Sequence, residues 1–177
     1  LESSRLVQEH ALLLAETLAH VASVRIRNIA TLGGALAHAD PNQDLPPALI
    51  ALDARVRVRS RDGEREVAAD RFFVGYYETV LEPDDIVTEV RIPQQPPASG
   101  AAFLKFLPQT QDDYATVSAA VRLTITEGRI ADARVAAGSA GPTPLRLAGV
   151  EGALQGQRPE PAVLRDAAAL AVQEVDP

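Results

Sequence analysis

Apolar positions recur at two different spacings along the chain, and the change of spacing separates its elements. Between residues 3 and 21, Leu6, His10, Leu14, Leu18 and Val21 fall on one helical face. Ser3 or Ser4 stands where an N-cap belongs, so one helix is expected there. Val21-Ala22-Ser23-Val24-Arg25-Ile26-Arg27-Asn28 reads as a short extended approach to the stretch from Thr31 to Pro41. Asp44-Leu45-Pro46-Pro47 opens a short helix through Leu52, with proline in its first turn. Ala54 to Arg59 alternates apolar and cationic residues, the pattern of a half-buried strand with Arg55, Arg57 and Arg59 facing water. Asp62-Gly63 then turns the chain into a partner strand from Glu64 to Ala68, and Ile86 to Ile92 forms another strand, stopped by Pro93.

The stretch from Pro93 to Gly100 can continue neither a sheet nor a helix and reads as an interdomain linker. Beyond it lie three strands, Ala101 to Leu107, Thr116 to Thr126 and Arg129 to Ala137, the last two joined at Glu127-Gly128. A loop holding Gly138, Gly141, Pro142 and Pro144 leads to two helices, Leu145 to Leu154 and Ala162 to Val175. The expected class is α+β. A partial domain built of a mixed or antiparallel sheet with helices spans residues 1–96. A second domain, a three-stranded antiparallel meander with a helical pair, spans residues 97–177.

Composition narrows the function classes. With 46% hydrophobic and 23% charged residues in 177, the chain can build a real core. A net charge of −7 argues against a nucleic-acid or anionic-membrane partner, and no apolar run approaches the roughly 18 residues of a membrane span. Cysteine is absent, which excludes disulfides, thiolate catalysis and iron–sulfur ligation by this chain. His10, His20 and His38 are scattered without metal-ligand spacing, so no metal site is expected. No signal-peptide pattern stands at the N-terminus. The chain starts at Leu1, contains no methionine and ends on Glu174-Val175-Asp176-Pro177 directly after a helical pattern, so a fragment of a longer protein is expected.

Thr31-Leu32-Gly33-Gly34 is the segment with chemistry in it. A glycine pair after an extended approach lets the backbone take positive φ and gather successive N–H groups around an anion such as a pyrophosphate, with the Thr31 hydroxyl as a further donor. Gly33 or Gly34 is therefore expected at φ > 0. A plain glycine-rich turn is the other reading. Neither Gly-x-Gly-x-x-Gly nor a P-loop Gly-Lys-Ser/Thr is present.

The longer string from Ile26 to Pro46, with Thr31-Leu32-Gly33-Gly34-Ala35-Leu36-Ala37-His38-Ala39-Asp40-Pro41 at its centre, closely resembles the second flavin-binding loop of molybdenum-hydroxylase flavoproteins. These are the medium subunits of aerobic carbon monoxide dehydrogenases and the FAD domain of xanthine dehydrogenases. Phe72-Phe73-Val74-Gly75-Tyr76, Leu81-Glu82-Pro83-Asp84-Asp85-Ile86-Val87, Lys105 and Asp112-Asp113-Tyr114-Ala115 follow in the family's order. The resemblance implies an oxidoreductase subunit that carries FAD. Thr31, Leu32, Gly33, Gly34 and Ala35 would wrap the FAD diphosphate through backbone N–H groups. Asp44 would meet the ribityl region, Val87 would touch the flavin through its backbone, Lys105 would sit near the isoalloxazine, and Tyr114 would pack over a flavin face. A cation such as Lys105 also suits the chemistry independently, because it stabilises anionic reduced flavin.

Each residue has a plainer reading as well. Asp44 reads as the cap of the following helix, Tyr114 as a core residue, Lys105 as a solvated strand residue, and His38 as a packed loop residue. Position 35, commonly asparagine in the family, is alanine here, and the family's first diphosphate loop, in an N-terminal subdomain, is absent. By resemblance, a molybdenum cofactor in a large subunit and 2Fe-2S clusters in a small subunit would feed electrons to this FAD, for delivery to an external acceptor in the cytoplasm. The alternatives are a non-catalytic assembly module of the same fold that has lost FAD, and an unrelated nucleotide- or sugar-binding α+β domain.

Overall fold

A computed structural model describes residues 1–108 and 113–176. Two helices, α1 (Arg5–His10) and α2 (Leu12–His20), occupy the stretch expected to be one. The break falls at Ala11, at φ −142° and ψ 58°. Helix α1 buries nothing, whereas α2 sinks Leu13, Leu14 and Thr17, so the break lets the polar first turns leave the packed line of α2. Helix α3 (Val24–Ile29) stands where extended chain was expected. Its Val-Arg-Ile-Arg alternation imitates a strand, but it pairs with no strand among the described residues. Ser23 caps it instead, and Arg27 donates to the Val21 and Ala22 carbonyls at 2.8 Å each. Helix α4 (Leu32–His38) follows, ending on a left-handed Ala39 at φ 53°. Then comes α5 (Leu45–Ala51), with proline in its first turn as expected.

The alternation after residue 54 builds β1 (Arg55–Ser60), whose Val56 and Val58 are fully buried while its arginines face outward. Strand β2 (Gly63–Ala68) pairs with it across a turn that places Gly63 at φ 134°, a conformation glycine adopts without penalty. A small hairpin, β3 (Phe73–Gly75) and β4 (Glu78–Thr79), comes next, with Tyr77 at φ 55° in its turn. Strand β5 (Ile86–Arg91) completes an antiparallel sheet of order β2-β1-β5.

Past the proline-rich connection the chain forms β6 (Ser99–Phe106), β7 (Val117–Thr126), β8 (Arg129–Gly138) and β9 (Leu145–Arg146), an antiparallel sheet in that order. The expected meander thus gains a fourth strand. Leu145 and Arg146, expected to open a helix, pair with Ala137 and Ala136 at the free edge of β8, and α6 (Ala148–Leu154) starts only after them. Helix α7 (Pro161–Ala169) is also shorter than expected and tightens into a 3-10 turn over Leu170–Gln173. Among the described residues no helix is long and apolar enough to cross a membrane.

The two faces of the second sheet serve two cores. Ile130, Ala133, Val135 and Ala137 pack under α6 and α7. Phe103, Ala120 and Ala136 face the other way and join the core made by α2, α5 and β1. Helix α5 lies between the sheets with all seven of its residues buried. Arg122, only 4% exposed, donates to the carbonyl of Ala51 at the end of α5 at 3.1 Å and to Asp53 at 2.8 Å and Asp132 at 2.9 Å. Arg134 closes the ring by bonding the same two carboxylates from a more exposed position.

Removing the buried arginine should therefore cost more than removing its partly exposed neighbour. Arg122→Leu strands the Ala51 carbonyl and is expected to lose about 1–3 kcal/mol. Arg134→Ala should stay within about 1 kcal/mol. Urea unfolding of both variants measures the difference, and equal losses would show that the Ala51 contact is not what holds the helix end.

Candidate functional site

A cleft of about 660 Å³ opens between α3, the start of α4, the start of α5 and the end of β6. Thr31, Gly34, Ala35, Asp44, Lys105 and Tyr114 all line it, drawn together from positions 83 residues apart in sequence at the extremes (114 − 31). Leu32, Gly33 and Val87 do not line it. Leu32 packs into the core, and Gly33 turns toward β5, where a Cβ would sit 3.5 Å from the Val87 side chain. Val87 thus supports the start of α4 from behind. Asp112 of the expected Asp-Asp-Tyr-Ala string lies outside the described residues.

The glycine pair works differently from the expected turn. Neither Gly33 nor Gly34 has positive φ; both are helical residues of α4. Thr31 is the N-cap, and its hydroxyl oxygen accepts the Gly34 N–H at 3.0 Å. A Cβ at Gly34 would stand 2.9 Å from that oxygen and would push the hydroxyl aside, so what glycine contributes there is close approach and not a special backbone angle. Ala35 N–H is committed to the Thr31 carbonyl at 3.0 Å. By helix geometry the Leu32 and Gly33 N–H groups have no partner within the helix, and they are the donors that a ligand at the helix start would meet.

Asp44 and Lys105 form the charged floor. Asp44 stands at the N-cap position of α5 but makes no side-chain cap bond. Its Oδ2 accepts from Lys105 Nζ at 2.8 Å, and the two side chains are 6% and 2% exposed. Lys105 is therefore not a solvated strand residue: its ammonium also donates to the His20 carbonyl at 3.1 Å, and one of its three N–H bonds has no partner among the described residues. The second oxygen of Asp44 is buried without a partner among the described residues. Burial pushes the Asp44 carboxyl above its ordinary value of 3.8, while the hydrogen bond and charge of Lys105 and the charge of His20 pull it back.

Tyr114 is 62% exposed and is not a core residue. Its phenol pKa is raised, first by partial burial and then by the charge and hydrogen bonding of Asp40. Asp40 is itself only 5% exposed; its Oδ1 accepts the Asn42 N–H at 2.9 Å and its Oδ2 accepts the Tyr77 hydroxyl at 3.2 Å. The Tyr77 ring lies 5.3 Å from that of His38, which faces the cleft. Neither Asp40 nor Tyr77 stood out in the sequence as a site residue. The available signal was the Asp40-Pro41 pair inside the resembling string, because an aspartate before a proline often bonds its own following backbone. A second hollow of about 540 Å³, lined in part by Asp53, Arg55, Asp70 and Arg146, contains none of the expected site residues.

Residues 1–95 match the FAD binding domain found in molybdopterin dehydrogenase, and residues 102–177 match the C-terminal domain of CO dehydrogenase flavoprotein. The 6-hydroxypseudooxynicotine dehydrogenase complex subunit alpha of Paenarthrobacter nicotinovorans is 36% identical over 178 residues, covering 100% of this chain and 60% of the relative. The carbon monoxide dehydrogenase medium chain of Hydrogenophaga pseudoflava is 36% identical over 155 residues, 88% of this chain and 54% of the relative. A solved carbon monoxide dehydrogenase from H. pseudoflava superposes with a TM-score of 0.96 at 35% identity, covering 99% of this chain and 61% of that one. The chain spans about 60% or less of the length of these relatives.

The raised pKa of Asp44 fixes the sign of a pH effect. A folded-state value above the unfolded one favours the fold below the unfolded pKa of 3.8, and that contribution is lost as pH rises through the raised value. Ionised Asp44 at neutral pH therefore depends on Lys105. Lys105→Met should cost about 3–5 kcal/mol near neutrality by leaving a buried carboxylate alone, and clearly less near pH 4, where that carboxylate takes up a proton. Denaturant unfolding of wild type and variant at the two pH values measures this. A penalty independent of pH would mean that the pair is not coupled.

Proposed function

The chain belongs to the family of FAD-binding flavoprotein subunits of molybdopterin dehydrogenases, and on that premise we propose that its cleft holds part of an FAD in the electron-transferring subunit of a molybdenum hydroxylase. The observation that carries this reading is the buried Asp44–Lys105 pair at the cleft floor, with one carboxylate oxygen and one ammonium N–H that have no partner among the described residues. A polar pair is costly to bury, and one left half satisfied beside an open cleft is completed by a water or by a polar ligand in that cleft. That same cost speaks against a module that keeps the fold but has lost its cofactor.

The residues present fit the group. In this reading the start of α4, Thr31 to Ala35, faces the diphosphate, and the Leu32 and Gly33 N–H groups together with the positive end of the helix do the binding. Ala35 contributes neither an asparagine side chain nor a free N–H, so the Thr31 hydroxyl carries more of the contact. Asp44 would accept from the ribityl hydroxyls, Lys105 would hold its positive charge beside the isoalloxazine and Tyr114 would cover one flavin face, while Val87, which does not line the cleft, would act by holding the start of α4 in place. FAD, when bound, supplies two-electron and one-electron redox chemistry to the site.

The two family matches support a division near residue 96 into an FAD-binding part and a C-terminal part, although the two share one core. In the whole protein, a molybdenum cofactor in a large subunit and 2Fe-2S clusters in a small subunit would act as partners, in the cytoplasm. The chain's lack of cysteine agrees with clusters held elsewhere.

The full-length protein is expected to show flavin absorbance as purified. Alone and without oxygen, its flavin should be reduced by an artificial donor but stay oxidised with carbon monoxide, a purine or an aldehyde. A colourless full-length protein would remove the FAD reading. Bleaching by one of those substrates with no partner present would remove the division of labour and leave an independent oxidase.

A further inference from the structure

The hollow at the far end of α5 from the cleft gathers arginines from three separate elements. Ile50 and Asp53, at and just beyond the last turn of α5, form part of its wall, whereas the cleft opens at Asp44, before the first turn. Arg55 comes from β1, Arg71 from the 3-10 turn Ala69–Arg71, and Arg146 from β9 in the second part of the chain. Three carboxylates share the lining, but two of them are already committed elsewhere. Asp53 accepts from Arg122 at 2.8 Å and from Arg134 at 2.9 Å and 3.1 Å. Glu66 accepts from Arg57 at 3.2 Å and from Arg91 at 2.7 Å. None of those four arginines lines the hollow. Arg146 gives its Nε and Nη2 to Glu151, while its Nη1 reaches only Asp70, at 3.8 Å, beyond hydrogen-bond distance. Arg55 and Arg71 have neither a hydrogen bond nor an ion pair among the described residues.

With those pairs set aside, Arg55 and Arg71 face Asp70 alone, a surplus of one positive charge (2 − 1) in a chain whose net charge is −7. Guanidinium donors left idle around a concave wall match the oxygens of a carboxylate or phosphate, which arginine holds through paired N–H groups. A volume of about 540 Å³ lies in the range of small-molecule sites. Ile50, Val67 and Ala69 supply an apolar strip for the rest of such a molecule. We propose that this hollow is a second binding site, for a small organic anion whose phosphate or carboxylate is gripped by Arg55, Arg71 and Nη1 of Arg146. The site stands apart from the FAD reading, since no described residue lines both hollow and cleft. An anion there bridges the two parts of the chain, because Arg146 belongs to the second and the other two arginines to the first.

Titration calorimetry on the full-length protein tests this with inorganic phosphate and with succinate, against sodium chloride at matched ionic strength. At least one of the two anions is expected to bind saturably where chloride does not. Binding of phosphate alone identifies a phosphate ester as the ligand class, and binding of succinate alone identifies a carboxylate. Arg55→Gln and Arg71→Gln should each weaken that binding about tenfold or more, since each removes a charge-assisted contact. Arg59→Gln, on the same strand as Arg55 but outside the hollow and paired with Glu64, should leave the affinity unchanged. Both hollow arginines are exposed and make no bonds in the fold, so their variants should melt like wild type. Should either glutamine variant fold poorly, the corresponding lysine variant decides, because it keeps the charge and loses the fork. No binding beyond that of chloride, wild-type affinity in either hollow variant, or equal weakening by Arg59→Gln would overturn the proposal. So would an anion that displaces flavin and ignores the arginine variants, since it would then occupy the cleft.

Discussion

Complete burial of one short helix is the constraint on which the rest of the structure depends. All seven residues of α5 are inaccessible, so both sheets must close around it and each end must find its polar partners inside the protein. Those partners come from the same neighbouring sheet. Lys105 of β6 meets Asp44 at the helix start, and Arg122 of β7 meets the Ala51 carbonyl at its end. The signs follow the helix dipole, with a carboxylate at the positive end and a guanidinium at the negative end. Phe103 and Ala120, on the inward face of the same two strands, supply apolar contact between those anchors. Because the core contains residues from both sides of the proline-rich connection, the two parts are fused and do not behave as beads on a linker.

That fusion places the cleft. The helix start that carries Asp44 is also the cleft floor, so the group that anchors the packing is the group offered to a ligand. Buried ion pairs seldom add net stability, since desolvation offsets most of their attraction. Here one member keeps an oxygen without a partner among the described residues, so the pair is a poor structural device taken by itself.

How much of this was legible in the sequence depends on whether local pattern or distant contact decided each case. Alternation alone identified β1, and Asp62-Gly63 and Glu127-Gly128 marked real turns, because these features are set by neighbouring residues. The Val-Arg-Ile-Arg alternation of α3 misled, since nothing nearby offers it a ladder, and capping by Ser23 with the reach of Arg27 decided for a helix. Lys105 could not be read as buried from its strand, because its partner Asp44 lies 61 residues away. The Thr31–Gly34 string was singled out on the expectation of positive φ, which neither glycine has. Glycine there serves contact within a helix N-terminus, which no rule about positive φ detects. Asp40 and Tyr77 escaped for the same reason as Lys105: only the fold brings them together.

The approach of Gly34 to the Thr31 hydroxyl has a consequence for the protein's evolution. With 2.9 Å between that oxygen and any Cβ at position 34, the two positions form one heritable unit. A larger residue at 34 must push the Thr31 hydroxyl aside, which strains the helix cap and moves a donor that faces the cleft. A change at either position therefore alters what the other tolerates, and the two drift together. Lineages that still bind the cofactor should keep threonine or serine together with glycine there, while a lineage freed from it would lose both.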